Sequence, residues 1–317
     1  MYKNPITRYV VSIIGVLLFV GVIYFTSWRN FSEILVGMDY LYLSIAIFFG
    51  IIATFIRSLR FRFFFLTNLS HFHTYAAFAW IRVVNYVMPF RSGEIVALMI
   101  LKRGGFSSTI TEISPVWLLM RIADFTGLFI IMTLATLASS VGSSLFAVGT
   151  SAAMAAVLVL VSLLFNVASR RMLDWAETRW GRRSWAQNRI GLLRQGLARL
   201  TQPNAHPVLQ LGAIAIWAAN AGVTACTLLA LGVELSVLSC LLISTLAFAV
   251  GLLPIRAPLG IGTVDLTWAG LLMAFGVDQQ TAISLALGVR LVQTLLVIID
   301  AILAWVFAAP ARPRPAV

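Results

Sequence analysis

Residues 86–94 read Tyr86-Val-Met-Pro-Phe-Arg-Ser-Gly-Glu94, and this stretch decides how the chain is organised. Pro89 removes a backbone donor and ends a helix, and Gly93 lets the backbone reverse. The flanking apolar segments, 75–88 and 95–101, are each too short to cross a bilayer. Two short helices that meet at a charged break predict a re-entrant hairpin. Membranes tolerate such a break only where it is buried in protein or lines a polar cavity.

The whole chain has the composition of a membrane protein. Its 317 residues are 60% hydrophobic and 11% charged, with a mean hydropathy of +0.95, whereas a soluble domain carries about 25% charged residues. The net charge of +12 does not indicate nucleic-acid binding, because the basic residues fall at the ends of apolar segments. The sequence therefore predicts an all-α, polytopic integral membrane protein of the bacterial cytoplasmic (inner) membrane, with both termini cytoplasmic.

About six full spans and two re-entrant hairpins are predicted. The spans cover residues 9–28, 40–56, the helix that ends near 139, 145–166, 208–231 and 281–307. We divide the chain into an N-terminal half, 1–168, with its hairpin at 75–103, and a C-terminal half, 207–317, with its hairpin at 237–276. Between them lies a basic, amphipathic, cytoplasmic linker, 169–206. Its arginines and tryptophans suit an anionic membrane surface.

The two halves resemble each other. Pro89-Phe-Arg91 is matched by Pro254-Ile-Arg256. The same 28-residue spacing separates two glycine–arginine pairs, Gly93 and Arg121, and Gly262 and Arg290. Because the first hairpin opens from the inside and the second from the outside, the pattern predicts an inverted repeat. Many transporters are built this way, with the binding site at the broken helices near the membrane midplane.

Charged side chains within apolar helices are the candidate site residues, since each costs about 2.5–3.5 kcal/mol at a helix centre on insertion scales. Arg121 and Asp124 lie three residues apart, so they can pair, either to fix helix packing or as the wall of a polar cavity or proton-coupling site. Arginines outnumber carboxylates, and the planar guanidinium suits phosphate. The predicted substrate-binding residues are Arg91, Arg256, Arg121, Arg290, Arg82 and Asn85. The predicted coupling or ion-pairing carboxylates are Glu94, Asp124, Asp265 and Asp300.

The two hairpin tips are predicted to hold the headgroup through Arg91 and Arg256. Glu94 and Asp265 are expected to pair with these arginines in the empty state or to carry protons. A further group, at the end of the span 40–56, is predicted to anchor the inner interface or to form a collar for anionic lipid headgroups at the mouth of the pathway. That group is Arg57, Arg60 and Arg62.

Several motifs resemble the lysylphosphatidylglycerol synthase transmembrane-region family, also called flippase-like membrane proteins. They are Asn85-Tyr-Val-Met-Pro-Phe-Arg-Ser-Gly-Glu94, Lys102-Arg-Gly-Gly105, Arg121-x-x-Asp124 and the second motif from Pro254 to Asp265. The resemblance covers about residues 9 to 308. Synthase members carry a soluble aminoacyl-transferase domain, for which we expect no room in these 317 residues. The resemblance therefore implies lipid translocation without the synthase step.

The expected function is transport of a lipid with an anionic headgroup, either a phospholipid or a polyprenyl-phosphate-linked lipid, across the inner membrane. We expect no catalytic residue, metal or cofactor, because neither zinc-ligand spacing nor a nucleophile elbow is present. The expected partners are membrane lipids, with a second copy of the chain or a lipid-synthesis enzyme as protein partner. Two alternatives stay open. One is an intramembrane lipid-modifying enzyme with Glu94, Asp124 or Asp265 as general base, and the other is a non-transporting scaffold for envelope lipid assembly.

Overall fold

A computed structural model describes residues 24, 28–65, 69–88, 92–106, 109–138, 145–180, 184–202, 204–233, 236–251 and 260–307. All regular structure within these ranges is helical, which confirms the predicted all-α fold. The described helices are α1 (Trp28–Val36), α2 (Tyr40–Phe64), α3 (His71–Val87), α4 (Gly93–Arg103), α5 (Ile110–Ala138), α6 (Leu145–Trp180), α7 (Ser184–Arg199), α8 (Ala205–Ala230), α9 (Val237–Gly251), α10 (Thr263–Ala274) and α11 (Gln279–Phe307).

Five of the described helices are long and apolar enough to cross a membrane: α2, α5, α6, α8 and α11. They coincide with five of the six predicted spans, so the protein is a polytopic membrane protein. The outer faces of these helices expose large apolar side chains, such as Trp305 of α11 at 76%, as expected for surface that meets lipid. The remaining predicted span, 9–28, lies almost entirely outside the described residues.

Two pairs of short helices occupy the predicted hairpins. Helix α3 has 17 residues and α4 has 11, and the two pack against each other. Helix α9 has 15 residues and α10 has 12, and these also pack together. The breaks themselves, residues 89–91 and 252–259, lie outside the described residues. The re-entrant course of each pair and the inverted repeat therefore stay predictions.

The basic segment 169–206 is continuous with the helical body. Helix α6 runs without interruption through the predicted boundary at residue 168, and α7 packs against both α5 and α6. One face of α7 is buried in the largest hydrophobic cluster through Ile190 and Leu197. Arg199, at the end of α7, forms an ion pair with the buried Glu112 of α5 and donates to the Phe64 carbonyl at 3.2 Å. The segment thus rests on protein along one side.

Helix α8 is the packing centre of the described chain, since it contacts α2 along much of its length and also contacts α5 and α9. Glycines at the crossings allow this close approach. A Cβ at Gly212 of α8 would lie 2.8 Å from Cδ of Arg60, and a Cβ at Gly127 of α5 would lie 2.8 Å from the backbone carbonyl carbon of Ala213. The close crossings draw the polar residues of α2 and α5 towards α8.

We expect Gly127→Ala to reduce stability by about 1–3 kcal/mol, because the added methyl must push apart two backbones rather than a flexible side chain. Thermal unfolding of the detergent-solubilised protein measures the change. Gly270→Ala is the matched control, because a Cβ at this exposed glycine of α10 meets nothing within 4 Å. That variant should be unchanged, or more stable by about 0.5–1 kcal/mol. Equal stability of the two variants would contradict the close α5–α8 crossing.

Candidate functional site

A cavity of about 240 Å³ lies between α2, α3, α4, α5, α8 and α9. Its wall mixes charged side chains with large apolar ones, and it lies within the helical body of a membrane protein. The charged and amide residues that line it are Arg57, Arg60, Arg82, Asn85, Glu94, Arg121 and Asp124. The apolar lining is Phe78, Ile81, Met88, Trp117, Met120, Phe125, Trp217 and Phe248. Five predicted site residues thus share one cavity with two residues of the predicted collar.

Helix α2 supplies two of the cavity arginines from its buried face. Arg60 has a side chain only 2% exposed, and its Nη2 lies 2.6 Å from Oδ1 of Asp124 on α5. Gly212 leaves room for its aliphatic stem against α8. Arg60 therefore does not belong to a surface collar, and that prediction is corrected because a partner carboxylate inside the protein compensates its charge. Arg62 lies apart from the cavity and donates to the Leu69 carbonyl.

Helix α5 carries the central arginine of the site. Arg121 makes a two-pronged pair with Glu94 of α4, through Nε to Oε2 at 3.0 Å and Nη2 to Oε1 at 2.9 Å. Its Nη1 also lies 3.2 Å from Oδ2 of Asp124, which confirms the pairing predicted from their spacing. Since Asp124 in turn binds Arg60, four charges from α2, α4 and α5 form one connected chain. Trp117 supports it by donating its indole N–H to Glu94 at 2.9 Å.

The approach of α3 to α4 depends on Gly93. A Cβ at this position would lie 2.2 Å from Oδ1 and 2.9 Å from Cα of Asn85, so no other residue fits without moving α3. This close contact brings Asn85 into the cavity wall beside Glu94. The glycine predicted to permit a chain reversal therefore has an observed role as the contact point between the two short helices.

Arg82 of α3 binds a carboxylate from the far end of the sequence. Its Nη1 lies 2.7 Å from Oδ2 of Asp300 on α11, 218 residues away. The same atom donates to the carbonyl of Gly50 at 3.3 Å, and the hydroxyl of Tyr75 donates to Asp300 at 3.2 Å. Asp300 is 1% exposed. These contacts tie α3 to α2 and α11 and occupy both carboxylate oxygens.

The C-terminal half contains an ion pair that matches Glu94–Arg121 in position. Asp265, in the first turn of α10, accepts from Arg290 of α11 at 2.7 Å and from the backbone N–H of Gly262 at 2.9 Å. Arg290 also donates to the Gly260 carbonyl at 3.0 Å. In the N-terminal half, Glu94 at the start of α4 pairs with Arg121, which lies 28 positions after Gly93. In the C-terminal half, Asp265 at the start of α10 pairs with Arg290, which lies 28 positions after Gly262. Unlike Glu94–Arg121, this pair is nearly closed to solvent, with side chains 1% and 14% exposed.

The structure shows partners for the two carboxylates that the sequence does not indicate. Glu94 binds Arg121, and Asp265 binds Arg290. Arg91 and Arg256 lie outside the described residues, so their pairing with Glu94 and Asp265 stays a prediction. The matched 28-residue spacing is the sequence signal that the two observed pairs share. By contrast, nothing in the sequence singled out Trp217 or Phe248, whose roles arise from where α8 and α9 meet.

Arg57 is the cavity arginine that stands apart. No other described residue forms a salt bridge or a hydrogen bond with it, and its Nε is buried without an acceptor. Two further cavity residues also have a buried donor atom without an acceptor within the described ranges, Nε of Arg60 and Nε1 of Trp217. Each such group costs about 1–3 kcal/mol if left unsatisfied. All three are donors, so the cavity suits a molecule rich in hydrogen-bond acceptors.

The charges of the described lining do not cancel. Four arginines face two carboxylates. Asp300, which binds Arg82, supplies a third negative charge. Among the described residues, the cavity lining and Asp300 together therefore carry one positive charge in excess, and an isolated cation inside a membrane protein is costly. Across the described ranges, no group of three or more His, Cys, Asp and Glu side chains is arranged to hold a metal ion.

Residues 12–299 match the model of the family described as the lysylphosphatidylglycerol synthase TM region. Comparison with curated proteins and with solved structures finds no match. The family match spans every helix that lines the cavity.

Proposed function

This chain belongs to the lysylphosphatidylglycerol synthase TM region family, and from that premise we propose that it moves a lipid with an anionic headgroup across the membrane. The membrane is the bacterial cytoplasmic membrane, with both termini on the cytoplasmic side, where the basic segment 169–206 meets anionic lipid. The substrate is a phospholipid or a polyprenyl-phosphate-linked lipid. Its protein partner is a second copy of the chain or an enzyme of lipid synthesis.

The observation that carries this proposal is a cavity between membrane helices whose described charges leave one arginine in excess. An anionic headgroup that enters would supply the missing negative charge and the missing acceptors. Charged residues inside membrane helices are costly to insert, and they usually mark a pathway for polar cargo. A purely structural set of arginines would be expected to be fully paired, as Arg60, Arg82 and Arg121 are.

In the proposed cycle the predicted site residues divide by role. Arg91 and Arg256 contact the headgroup at the two helix breaks, and Arg82, Asn85, Arg121 and Arg290 bind it along the path. Glu94, Asp124, Asp265 and Asp300 hold these arginines while no lipid is bound. In the Glu94–Arg121 pair the side chains are 37% and 31% exposed, so a ligand can reach them. Arg121 is therefore the arginine best placed to exchange its bound carboxylate for the phosphate of a lipid.

The enzyme alternative receives less support from the geometry. A general base must lie within hydrogen-bond reach of the proton that it takes from the substrate. Each oxygen of Glu94, Asp124 and Asp265 already accepts a hydrogen bond from an arginine, so a substrate would have to compete with that arginine for the carboxylate. We therefore propose that the protein is not an enzyme and that these carboxylates are counter-ions.

Transport is tested in liposomes that contain the purified protein and a fluorescent anionic phospholipid. We expect wild-type protein to accelerate exchange of this lipid between leaflets. Arg121→Gln should slow it at least about tenfold, since a charge-assisted hydrogen bond contributes about 1.5–3 kcal/mol. Arg29→Gln is the matched control, because Arg29 is an exposed arginine of α1 outside the cavity and outside the basic segment 169–206, and the variant should keep the wild-type rate. Thermal unfolding checks that both variants are folded. Wild-type exchange by folded Arg121→Gln, or no exchange by the wild type, contradicts the proposal.

A further inference from the structure

Two residues of the cavity wall carry buried hydrogen-bond donors that no described residue satisfies. Arg57 lines the cavity from α2, and Trp217 lines it from α8. Nε of Arg57 and Nε1 of Trp217 are buried, and neither has an acceptor among the described residues. By contrast, the charged groups of Glu94, Arg121 and Asp124 pair with one another. The unmet need for acceptors in the described lining therefore falls at Arg57, at Trp217 and at Nε of Arg60.

The other cavity arginines are held by protein groups. Arg60 is bound to Asp124, Arg82 to Asp300 and Arg121 to Glu94 and Asp124. A ligand must break an ion pair to reach any of these fully. Arg57 requires no such exchange, because no described residue forms a salt bridge with it. Among the arginines of the described cavity, Arg57 is thus the one that can bind an anionic ligand without first losing an ion pair.

Trp217 is held rigidly, so its N–H has a defined direction. The residue is 8% exposed, and its ring packs edge-on against Phe248 with centroids 5.0 Å apart. Its Cδ1 lies 3.0 Å from the position that a Cβ on Gly127 would take, so α5 closes the other side. A fixed neutral donor and a cation without a salt bridge to any described residue, both lining one cavity, can bind an oxyanion, and the fixed donor loses little side-chain freedom on binding.

We propose that Arg57 and Trp217 form an oxyanion site that binds the phosphate of the lipid headgroup, an inference that rests on the proposed function. Arg57 supplies the charge, and Trp217 supplies a directed neutral hydrogen bond. Nε of Arg60 is a third donor on the same wall. Phosphate chemistry alone does not distinguish a lipid headgroup from free phosphate, so the experiment includes both.

The test measures dissociation constants of the detergent-purified protein for three probes. These are phosphatidylmethanol, which carries one phosphodiester charge, diacylglycerol with the same acyl chains, and inorganic phosphate. We expect wild-type protein to prefer phosphatidylmethanol over diacylglycerol by at least about tenfold. Arg57→Gln should remove this preference. Trp217→Phe, which keeps an aromatic ring and loses the N–H, should reduce it about three- to tenfold.

Two controls and a stability measurement separate binding from structure. Arg29→Gln removes an exposed charge on α1, outside the basic segment 169–206, and Trp268→Phe alters a buried tryptophan that does not line the cavity, so both should keep the wild-type preference. Without lipid, Arg57→Gln should unfold at the wild-type temperature or higher, since it removes a cation that forms no salt bridge with any described residue. If Arg57→Gln does not fold, Arg57→Lys is measured, and its preference should fall because lysine lacks the planar fork.

An unchanged lipid preference in folded Arg57→Gln, or a lowered unfolding temperature with unchanged binding, overturns the inference. Inorganic phosphate that binds as tightly as phosphatidylmethanol assigns the site to free phosphate and overturns the lipid assignment. These outcomes are distinct from failure of the transport proposal. Wild-type protein that prefers phosphatidylmethanol yet does not move lipid between leaflets refutes transport and leaves the oxyanion site standing.

Discussion

Asp124→Ala is expected to destabilise the protein by about 3–5 kcal/mol, enough to prevent most of it from folding. Asp124 compensates two arginines, and one of them, Arg60, has a side chain only 2% exposed. Without the carboxylate, Arg60 is a buried cation with only the distant Leu209 carbonyl, at 3.5 Å, as an acceptor. Size-exclusion profiles and thermal unfolding in detergent measure the loss.

The matched control is Asp174→Ala. Asp174 also binds an arginine, Arg194, at 2.7 Å, but both side chains are about half exposed or more, at 67% and 49%. A pair of this kind contributes at most about 1 kcal/mol. The double variant Asp124→Ala with Arg60→Met should recover much of the lost stability, because it no longer leaves the buried Arg60 charge without its carboxylate, while Arg121 keeps Glu94. Equal effects of Asp124→Ala and Asp174→Ala would mean that Arg60 is not buried as described.

Asp265→Ala is expected to have an effect of similar size, about 3–5 kcal/mol. Asp265 is 1% exposed and binds Arg290 through both oxygens, and it also accepts from the backbone N–H of Gly262. The substitution therefore leaves a partly buried cation and removes the cap of α10. Thermal unfolding of the variant in detergent tests this prediction.

Asp278→Ala is the control for Asp265→Ala, since Asp278 also accepts a backbone hydrogen bond at the start of a helix, α11, but is exposed. Its Oδ1 accepts from the backbone N–H of Thr281 at 3.0 Å. Hydrogen bonds from Thr281 hold the pKa of the Asp278 carboxyl below its ordinary value. Its small contribution is thus present at neutral pH and lost as the pH falls below the ordinary range of an aspartate. A loss for Asp278→Ala as large as for Asp265→Ala would contradict the buried second-half pair.

Much of the architecture follows from local sequence. A run of about 20 apolar residues is stable in a bilayer as a helix, because the helix satisfies its own backbone hydrogen bonds, and five predicted spans appear as helices long enough to cross a membrane. The Arg121–Asp124 contact also follows from spacing alone, since residues three apart share a helix face. Helix α3 ends at Val87, two residues before Pro89, which disfavours continuation of a helix.

The sequence predicts less of the site. Arg60 follows an apolar span, which favours an interface, yet it lies inside the protein. The sequence does not indicate that Glu94 binds Arg121, 27 residues away. It does not single out Trp217 either, because one tryptophan in an apolar helix resembles any other. The surroundings of all three residues depend on which helices pack together, and the periodicity of one helix does not indicate which helices it will contact.

The sequence by itself determined that this is a membrane protein of apolar helices interrupted at two charged breaks, because hydrophobicity and backbone constraints act locally. It also supplied the inventory of arginines and carboxylates. Only the tertiary structure decided which arginines and carboxylates form ion pairs, and that Arg57 forms none with the described residues. The physical reason is that ion pairs form between side chains brought together by close packing of α2, α5 and α8, and such packing depends on small residues such as Gly127 and Gly212, which have no charge to mark them.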